Sequence, residues 1–422
     1  MSSILSIALL LLPYLVSGAE PLKHGWGTVG ELIGMHGKYN CRDEPFVPPQ
    51  EDVEFVATHY PMITTGPLCL DKLNQTYTER HSMIDLGTRI KEVNSSVKLG
   101  MYFHGQFGEN LAKCSDFTSV WLDHPEWRLK DDKGNVLSAN HKDWYYYDFL
   151  NPDVVSFFVK MVVNVTTYKL PSGKPVLDYV YLDAFPDQRA TSKYLPGIGP
   201  ERSAKLVDAR YACAGQVQLE LDKAGFGQKV TLNSMDAAWD AQRHASSGAA
   251  ISMFDHWSII QFLNQSDGAF NEAMMDEAIQ LVRSPVVSNI TVQIKGWPGP
   301  IVKQMDVYPP NIPQPTTIAD YQQIAGERFN SELALFLLVA NEFDFWIYSW
   351  FWGWYDYIPG NAVSRVPANF FPQLQCPLGA PTTDPVRVNG TWTYKREFEH
   401  ASVLVDLTDR NASYVKFANC DL

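Results

Sequence analysis

Residues 176–186 read VLDYVYLDAFP. Apolar and β-prone side chains run to Leu182, the carboxylate of Asp183 ends the run, and Ala-Phe-Pro turns the chain away. A strand without strict polar alternation is buried on both faces, the pattern of a parallel sheet covered by helices. With Leu177–Asp183 as one, similar runs occur at Val53–Thr58, Val97–His104, Trp144–Phe149, Lys229–Asn233, Ala249–Phe254, Ile290–Ile294 and Asp344–Trp350, which predicts eight strands. Helical stretches fall between most of them. Tyr77–Val93 carries Met83, Ile84, Leu86, Ile90 and Val93 on one stripe. Asn151-Pro152-Asp153 opens a helix, with Asn151 as cap and proline at the first helical position. Glu201–Ala224 stops at Gly225, and Ala269–Val282 and Asp320–Ala340 complete the set. Eight β–α units over about 300 residues fit a (β/α)8 TIM barrel of the α/β class. The alternative is an open doubly wound sheet, but no phosphate-binding turn follows the first strand. The long connection Gly105–Asp143 between the second and third predicted strands is of the kind that builds a site at the C-terminal rim.

After residue 360 the pattern changes. Val386–Lys395, Ser402–Asp406 and Tyr414–Phe417 read as short strands of a β-rich C-terminal extension. The expected organisation is a signal peptide over 1–19, an N-terminal extension over 20–52, the barrel over 53–360 and the extension over 361–422.

The 422 residues are 45% hydrophobic and 19% charged, a globular composition. The net charge of −13 argues against a nucleic-acid partner, since phosphate binding needs a basic face. Aromatics reach 13%. Residues 4–16, ILSIALLLLPYLV, are followed by Ser17-Gly18-Ala19, which predicts a secretory signal cleaved near Ala19. The run is short for a membrane span of about 20 residues and contains Pro13. No second span is expected, because Leu333–Trp354 is interrupted by Glu342 and Asp344. Asn74, Asn94, Asn164, Asn264, Asn289, Asn389 and Asn411 each begin an Asn-X-Ser/Thr acceptor triplet, more than chance supplies, which points to a secreted glycoprotein. Cys41, Cys69, Cys114, Cys213, Cys376 and Cys420 contain no C-x-x-C pair. In an oxidising compartment they allow up to three disulfides, and proximity suggests Cys41–Cys69 and Cys376–Cys420.

Several motifs lack their context. Gly25-Trp-Gly27-Thr-Val-Gly30 matches G-x-G-x-x-G but follows no strand. There is no Walker A loop, no G-x-S-x-G elbow and no H-E-x-x-H, so serine-hydrolase and zincin chemistries have no starting residue. No cofactor is expected. His59 and His104 with Asp183 and Asp255 lack close metal-ligand spacing, so no metal is expected either.

In a barrel, chemistry sits at the C-terminal ends of strands. Those ends carry His59-Tyr60, His104-Gly-Gln106, Asp148, Asp183, Asn233, Asp255-His256-Trp257, Lys295-Gly-Trp297 and Trp350-Phe-Trp352. Asp183 and Asp255 are the candidate catalytic pair. Two carboxylates at one mouth can divide the work, one keeping a proton as general acid and one staying ionised as nucleophile or base. The plainer alternative is that each caps a helix or pairs with Lys or Arg. Candidate substrate contacts are His59, Tyr60, His104, Gln106, Asp148, Asn233, Trp257, Trp297, Trp350 and Trp352. Trp346–Tyr357 reads WIYSWFWGWYDY, and tryptophan faces beside carboxylates and amides suit a carbohydrate cleft. Trp346 and Tyr348 are the members best explained as core filling.

With KLGMYFH, YYYDFLNP, DYVYLDAF and YKREFEHASVLVD in this order, the chain resembles glycoside hydrolase-like TIM-barrel proteins, a loose assembly akin to endo-α-polygalactosaminidase and α-galactosidase-type barrels. The resemblance implies a catalytic carboxylate at Asp183 after strand four and Asp255 after strand six, where the family usually has Glu. Ala184 stands where Asn is common, and His400-Ala401 and Asp406-Leu407 replace the terminal Asn-Gly and Asn-Pro. The expectation is a secreted glycoside hydrolase acting on a poly- or oligosaccharide; the alternative is a non-catalytic carbohydrate-binding glycoprotein on the same scaffold.

Overall fold

The computed structural model describes residues 21–30, 32–35, 48–66, 79–104, 107–108, 120–121, 123–138, 145–183, 195, 197–233, 243–244, 247, 249, 251–254, 276, 279–280, 283, 290–296, 298, 317–349, 355–356, 364–365 and 371–420. Eight parallel strands lie side by side in the order in which the chain makes them. They are β1 (Leu32–Met35), β2 (Met62–Thr65), β3 (Lys98–His104), β4 (Tyr179–Asp183), β5 (Lys229–Leu232), β6 (Ile251–Phe254), β7 (Thr291–Gly296) and β8 (Asp344–Tyr348). A doubly wound sheet reverses its order at a switch point; this one does not. The helices are α1 (Gln50–His59), α2 (Glu79–Val93), α3 (Pro152–Thr166), α4 (Pro200–Ala224) and α5 (Ile318–Val339).

The helix ends follow local chemistry. Asn151 Oδ1 accepts from Asp153 N (2.9 Å) ahead of Pro152, as the sequence predicts. Thr317 and Asp320 form a reciprocal capping box at α5. Gly225 stops α4 with φ +78°, a conformation only glycine adopts cheaply.

Strand alternation separates two apolar layers. Val180, Leu182, Val230 and Leu232 pack on α3 and α4, while Val292, Ile294, Trp346 and Tyr348 pack on α5. The opposite faces bring Met62, Tyr179, Tyr181, Ile251, Met253, Phe345 and Ile347 together. These come from β2, β4, β6 and β8, the alternate-strand layering of a barrel interior. Gly100 on β3 makes room there, since a Cβ would stand 2.0 Å from the Tyr179 ring.

Two expected strands are corrected. Val53–Thr58 belongs to α1, where Val53, Val56 and Ala57 are buried at helical spacing behind Pro49. The β-branched residues mimic a strand, but the three-to-four period decides. Trp144–Phe149 contributes Tyr145–Tyr146, which pairs antiparallel with Phe107–Gly108 outside the eight-stranded sheet. The long connection therefore leaves the C-terminal end of β3 and runs to α3. In their place stand β1, inside the segment expected to precede the barrel, and β2, a four-residue MITT too short to announce itself. Two losses and two gains cancel, so Asp183 still ends the fourth strand.

Beyond the parallel sheet, β9 (Val386–Arg387), β10 (Thr393–Glu397), β11 (Ala401–Asp406) and β12 (Tyr414–Phe417) form an antiparallel meander. The expected run Val386–Lys395 is two strands joined by a turn. Arg396 ties this sheet to α5. Its Nη1 donates to the carbonyls of Leu337 (2.8 Å), Leu338 (3.3 Å) and Ala340 (2.7 Å), and its guanidinium lies 5.0 Å from the centre of the Phe398 ring. The carbonyls that a helix C-terminus leaves unpaired are thus met by a charged donor from another element. Cys376 and Cys420 form a disulfide, as proximity suggested. Cys213, however, is a free thiol buried in α4, so three disulfides are not reached. Cys41, Cys69 and Cys114 lie outside the described residues.

Residues 22–30 thread between β8 and the C-terminal segment. His24 N donates to Glu342 O, Trp346 N to Gly30 O, Val29 N to Leu374 O, and Leu378 N and Gly379 N to Gly27 O and Trp26 O. No described helix is long and apolar enough to cross a membrane.

Candidate active site

Asp183 continues the inward row of Tyr179 and Tyr181 and so reaches the C-terminal end of the sheet on its inner face. Both carboxylate oxygens are engaged. Oδ2 accepts from the Tyr102 hydroxyl (2.7 Å) and Oδ1 from Asn233 Nδ2 (2.5 Å). Tyr102 projects from β3, with its ring stacked on Tyr181 at 5.8 Å between centroids. Asn233 follows β5; its backbone N–H donates to Leu182 O (3.2 Å) and it is almost fully buried. Three adjacent strands thus fix one carboxylate.

His104 stands beside Asp183 in register on β3. It keeps part of its surface accessible, yet burial pushes its imidazole down to about 4; Asp183 opposes the shift and Arg210 adds to it. At neutral pH the ring is uncharged and offers one donor and one acceptor. On β7, Lys295 is fully buried on the inner face. Its ammonium donates to Gly296 O (3.1 Å), Ser349 Oγ (3.0 Å) and Ser349 O, tying the end of β7 to the end of β8.

The structure therefore brings together His104, Asp183 and Asn233 of the expected residues. His59 and Tyr60 are corrected. His59 lies in the last turn of α1 and Tyr60 is its C-cap, leading into the N-terminal end of β2, opposite the end that carries Asp183. His59 Nδ1 lies 2.8 Å from Phe55 O and its ring stacks on Phe55, while Tyr60 is core. Asp148 does not end a sheet strand. Its Oδ1 accepts from Leu150 N (3.2 Å) and its carbonyl from Asn151 N (2.8 Å), a turn leading into α3. Gln106, Asp255, Trp257, Trp297, Trp350 and Trp352 lie outside the described residues. Tyr102 was missed, although it lies two residues before His104 in KLGMYFH and strand alternation puts both on one face. Trp346 and Tyr348 pack on Phe329 and Phe336 of α5, away from the site, as core filling requires. Among the described residues no group of three His, Cys, Asp or Glu has the geometry to hold a metal ion.

Of the acceptor asparagines, Asn164, Asn389 and Asn411 are exposed. Asn94 is half-buried and its Nδ2 donates to Ala57 O (2.9 Å). Asn74, Asn264 and Asn289 lie outside the described residues.

Residues 94–402 match the profile of hypothetical glycosyl hydrolase family 15. The chain belongs to this family. The matched span includes β3 to β8, Tyr102, Asp183, Asn233 and Arg396. No curated protein matches the chain. Among solved structures, the family 15 chain is similar to Amy13B of Eubacterium rectale, with TM-score 0.49, 10% identity, and coverage of 90% of this chain and 87% of that one. It is similar to a noncanonic maltogenic α-amylase of Thermotoga neapolitana, with TM-score 0.46, 12% identity, and coverage of 90% and 86%. It is also similar to a variant of the glycoside hydrolase domain of PelA from Pseudomonas aeruginosa, with TM-score 0.42, 10% identity, and coverage of 76% and 94%.

Proposed function

We propose that the protein is a secreted glycoside hydrolase on a closed (β/α)8 barrel, cleaving a poly- or oligosaccharide between Asp183 and Asp255. The observation that carries this reading is the cradle of Asp183. With Tyr102 and Asn233 donating to both its oxygens, Asp183 presents lone pairs, which suits a nucleophile or a stabiliser of an oxocarbenium-like transition state. Asp255, next after β6, then takes the acid/base role and protonates the leaving oxygen. Neutral His104 and Asn233 are suited to sugar hydroxyls, and Trp257, Trp297, Trp350 and Trp352 to stacking on sugar faces. Barrel closure is supported by the sequential strand order, by the alternate-strand inner layer and by the Trp346-to-Gly30 hydrogen bond linking β8 to the approach to β1. Secretion is supported by the apolar run at 4–16, by the exposed acceptors Asn164, Asn389 and Asn411, and by the Cys376–Cys420 disulfide.

The test compares wild type, Asp183→Asn and Asp255→Asn across a panel of poly- and oligosaccharides, reading reducing-end release. The wild type is expected to hydrolyse at least one glycan, and each variant to lose about a thousandfold or more with its circular dichroism unchanged. Equal hydrolysis by wild type and Asp183→Asn would refute the role of Asp183. A wild type that binds glycans but cleaves none would make the chain a carbohydrate-binding protein.

A further inference from the structure

Arg210, midway along α4, has no accessible surface. Its Nε, Nη1 and Nη2 have no hydrogen-bond partner among the described residues. Its neighbours one turn away, Leu206, Val207, Cys213 and Ala214, are buried in the apolar layer between α3, α4 and the sheet. The guanidinium carbon lies 5.9 Å from the centre of the Phe149 ring, which supplies a weak attraction but no acceptor. No hydrogen bond links it to Asp183, whose carboxylate accepts from Tyr102 and Asn233. Asp208, two residues earlier on α4, is exposed and paired with Arg243.

A buried guanidinium left unpaired costs several kcal/mol, and a methionine would fill the same space without that penalty. A guanidinium with five donors unused among the described residues, set in an apolar layer and close enough to act on His104, is the environment in which an anion binds tightly. We propose that Arg210 holds a small monovalent anion in this enclosed space, either an inorganic halide or a single carboxylate. Burial pulls the guanidinium down to about 10, with Tyr146 acting the other way. An anion there would oppose both that shift and the push that Arg210 exerts on His104, so its presence is coupled to the site.

The test follows thermal unfolding of the full chain at constant ionic strength while sodium sulfate is replaced by sodium bromide, sodium chloride or sodium glucuronate, in wild type and Arg210→Gln. The expected result is a saturable rise in Tm of about 3 °C at a hundredfold excess over Kd in the wild type, absent in Arg210→Gln. A response to the halides assigns the site to an inorganic ion; a response to glucuronate alone assigns it to the carboxylate of an acidic sugar. Identical salt responses in the two proteins, or no saturable response of the wild type to any of the three, would overturn the proposal. Should Arg210→Gln fail to fold, wild-type crystals soaked in bromide and, separately, in glucuronate decide: an anomalous peak or carboxylate density within hydrogen-bond range of the guanidinium is expected, and the absence of both overturns the site.

Discussion

Arg396→Met removes the donor that ends α5. In the folded protein one nitrogen of Arg396 serves three carbonyls, two of them at 2.7 and 2.8 Å. Hydrogen bonds from a charged donor contribute about 1.5–3 kcal/mol each, so losing the two short ones costs about 3–6 kcal/mol. Methionine fills much of the volume and carries no charge to bury, which returns part of that sum; about 4 kcal/mol is the expected net loss. Unfolding entropy near 2.1 cal/mol/K per residue over 422 residues amounts to about 0.9 kcal/mol/K, so Tm should fall by about 4–5 °C. Arg396→Lys keeps the charge but not the planar fork, and should recover about half. The assay is differential scanning calorimetry of the three proteins under identical buffer. A Tm for Arg396→Met within about 1 °C of wild type would refute the view that this guanidinium holds the C-terminal sheet to the helix.

Tyr102→Phe removes the donor to Asp183 Oδ2 and keeps the ring; kcat should fall about 10–100-fold with KM little changed, and a KM effect alone would deny Tyr102 a part in orienting the carboxylate. Reducing the Cys376–Cys420 bond frees a loop spanning a separation of 44 residues, worth about 4 kcal/mol by chain entropy, so the urea midpoint should drop on adding reductant, and by less in Cys376→Ser, which already lacks this bond. Burial holds His244 down to about 3 and His24 and His104 to about 4, all below the ordinary 6.5. The unfolded chain therefore takes up those protons first: stability is intact above about pH 6.5 and lost as pH falls toward 4, with His244 alone costing roughly 3 kcal/mol by pH 4. Asp344, pushed up to about 8 by burial, works in the opposite sense and partly masks the loss. Chemical denaturation at stepped pH should show the decline, made shallower in His244→Gln.

Much of the architecture was legible because parallel strands buried on both faces leave dense apolar runs. LDYVYLD and KLGMYFH are such runs, and both are strands where expected. Asp183 was legible for the same reason, a single carboxylate closing an apolar run. What failed was short or ambiguous. MITT is too brief to outweigh its flanks, and VEFVAT has β-prone residues on a helical period. His59 followed from that one error, since naming the element wrongly turned the end of a helix into the end of a strand. Tyr102 and Arg210 were hidden differently. Each sits in a stretch whose composition reads as core, and only the neighbours across the fold set them apart: Asp183 accepts from the Tyr102 hydroxyl, and no described group accepts from the Arg210 guanidinium.

The threading of residues 22–30 between β8 and the 374–379 segment sets an order of events during synthesis. Those early residues leave the ribosome long before Leu374 and Leu378, the partners of Val29 and Gly27, have been made. At about 5–20 residues per second the interval is on the order of 20–70 s. Through that time Trp26, Val29 and the backbone around Gly30 have no seat, and the approach to the first strand cannot be fixed against the last. β1 finds its partner β2 early, but the seam between residues 24–30 and the C-terminal segments stays open until residues 342–379 have been made.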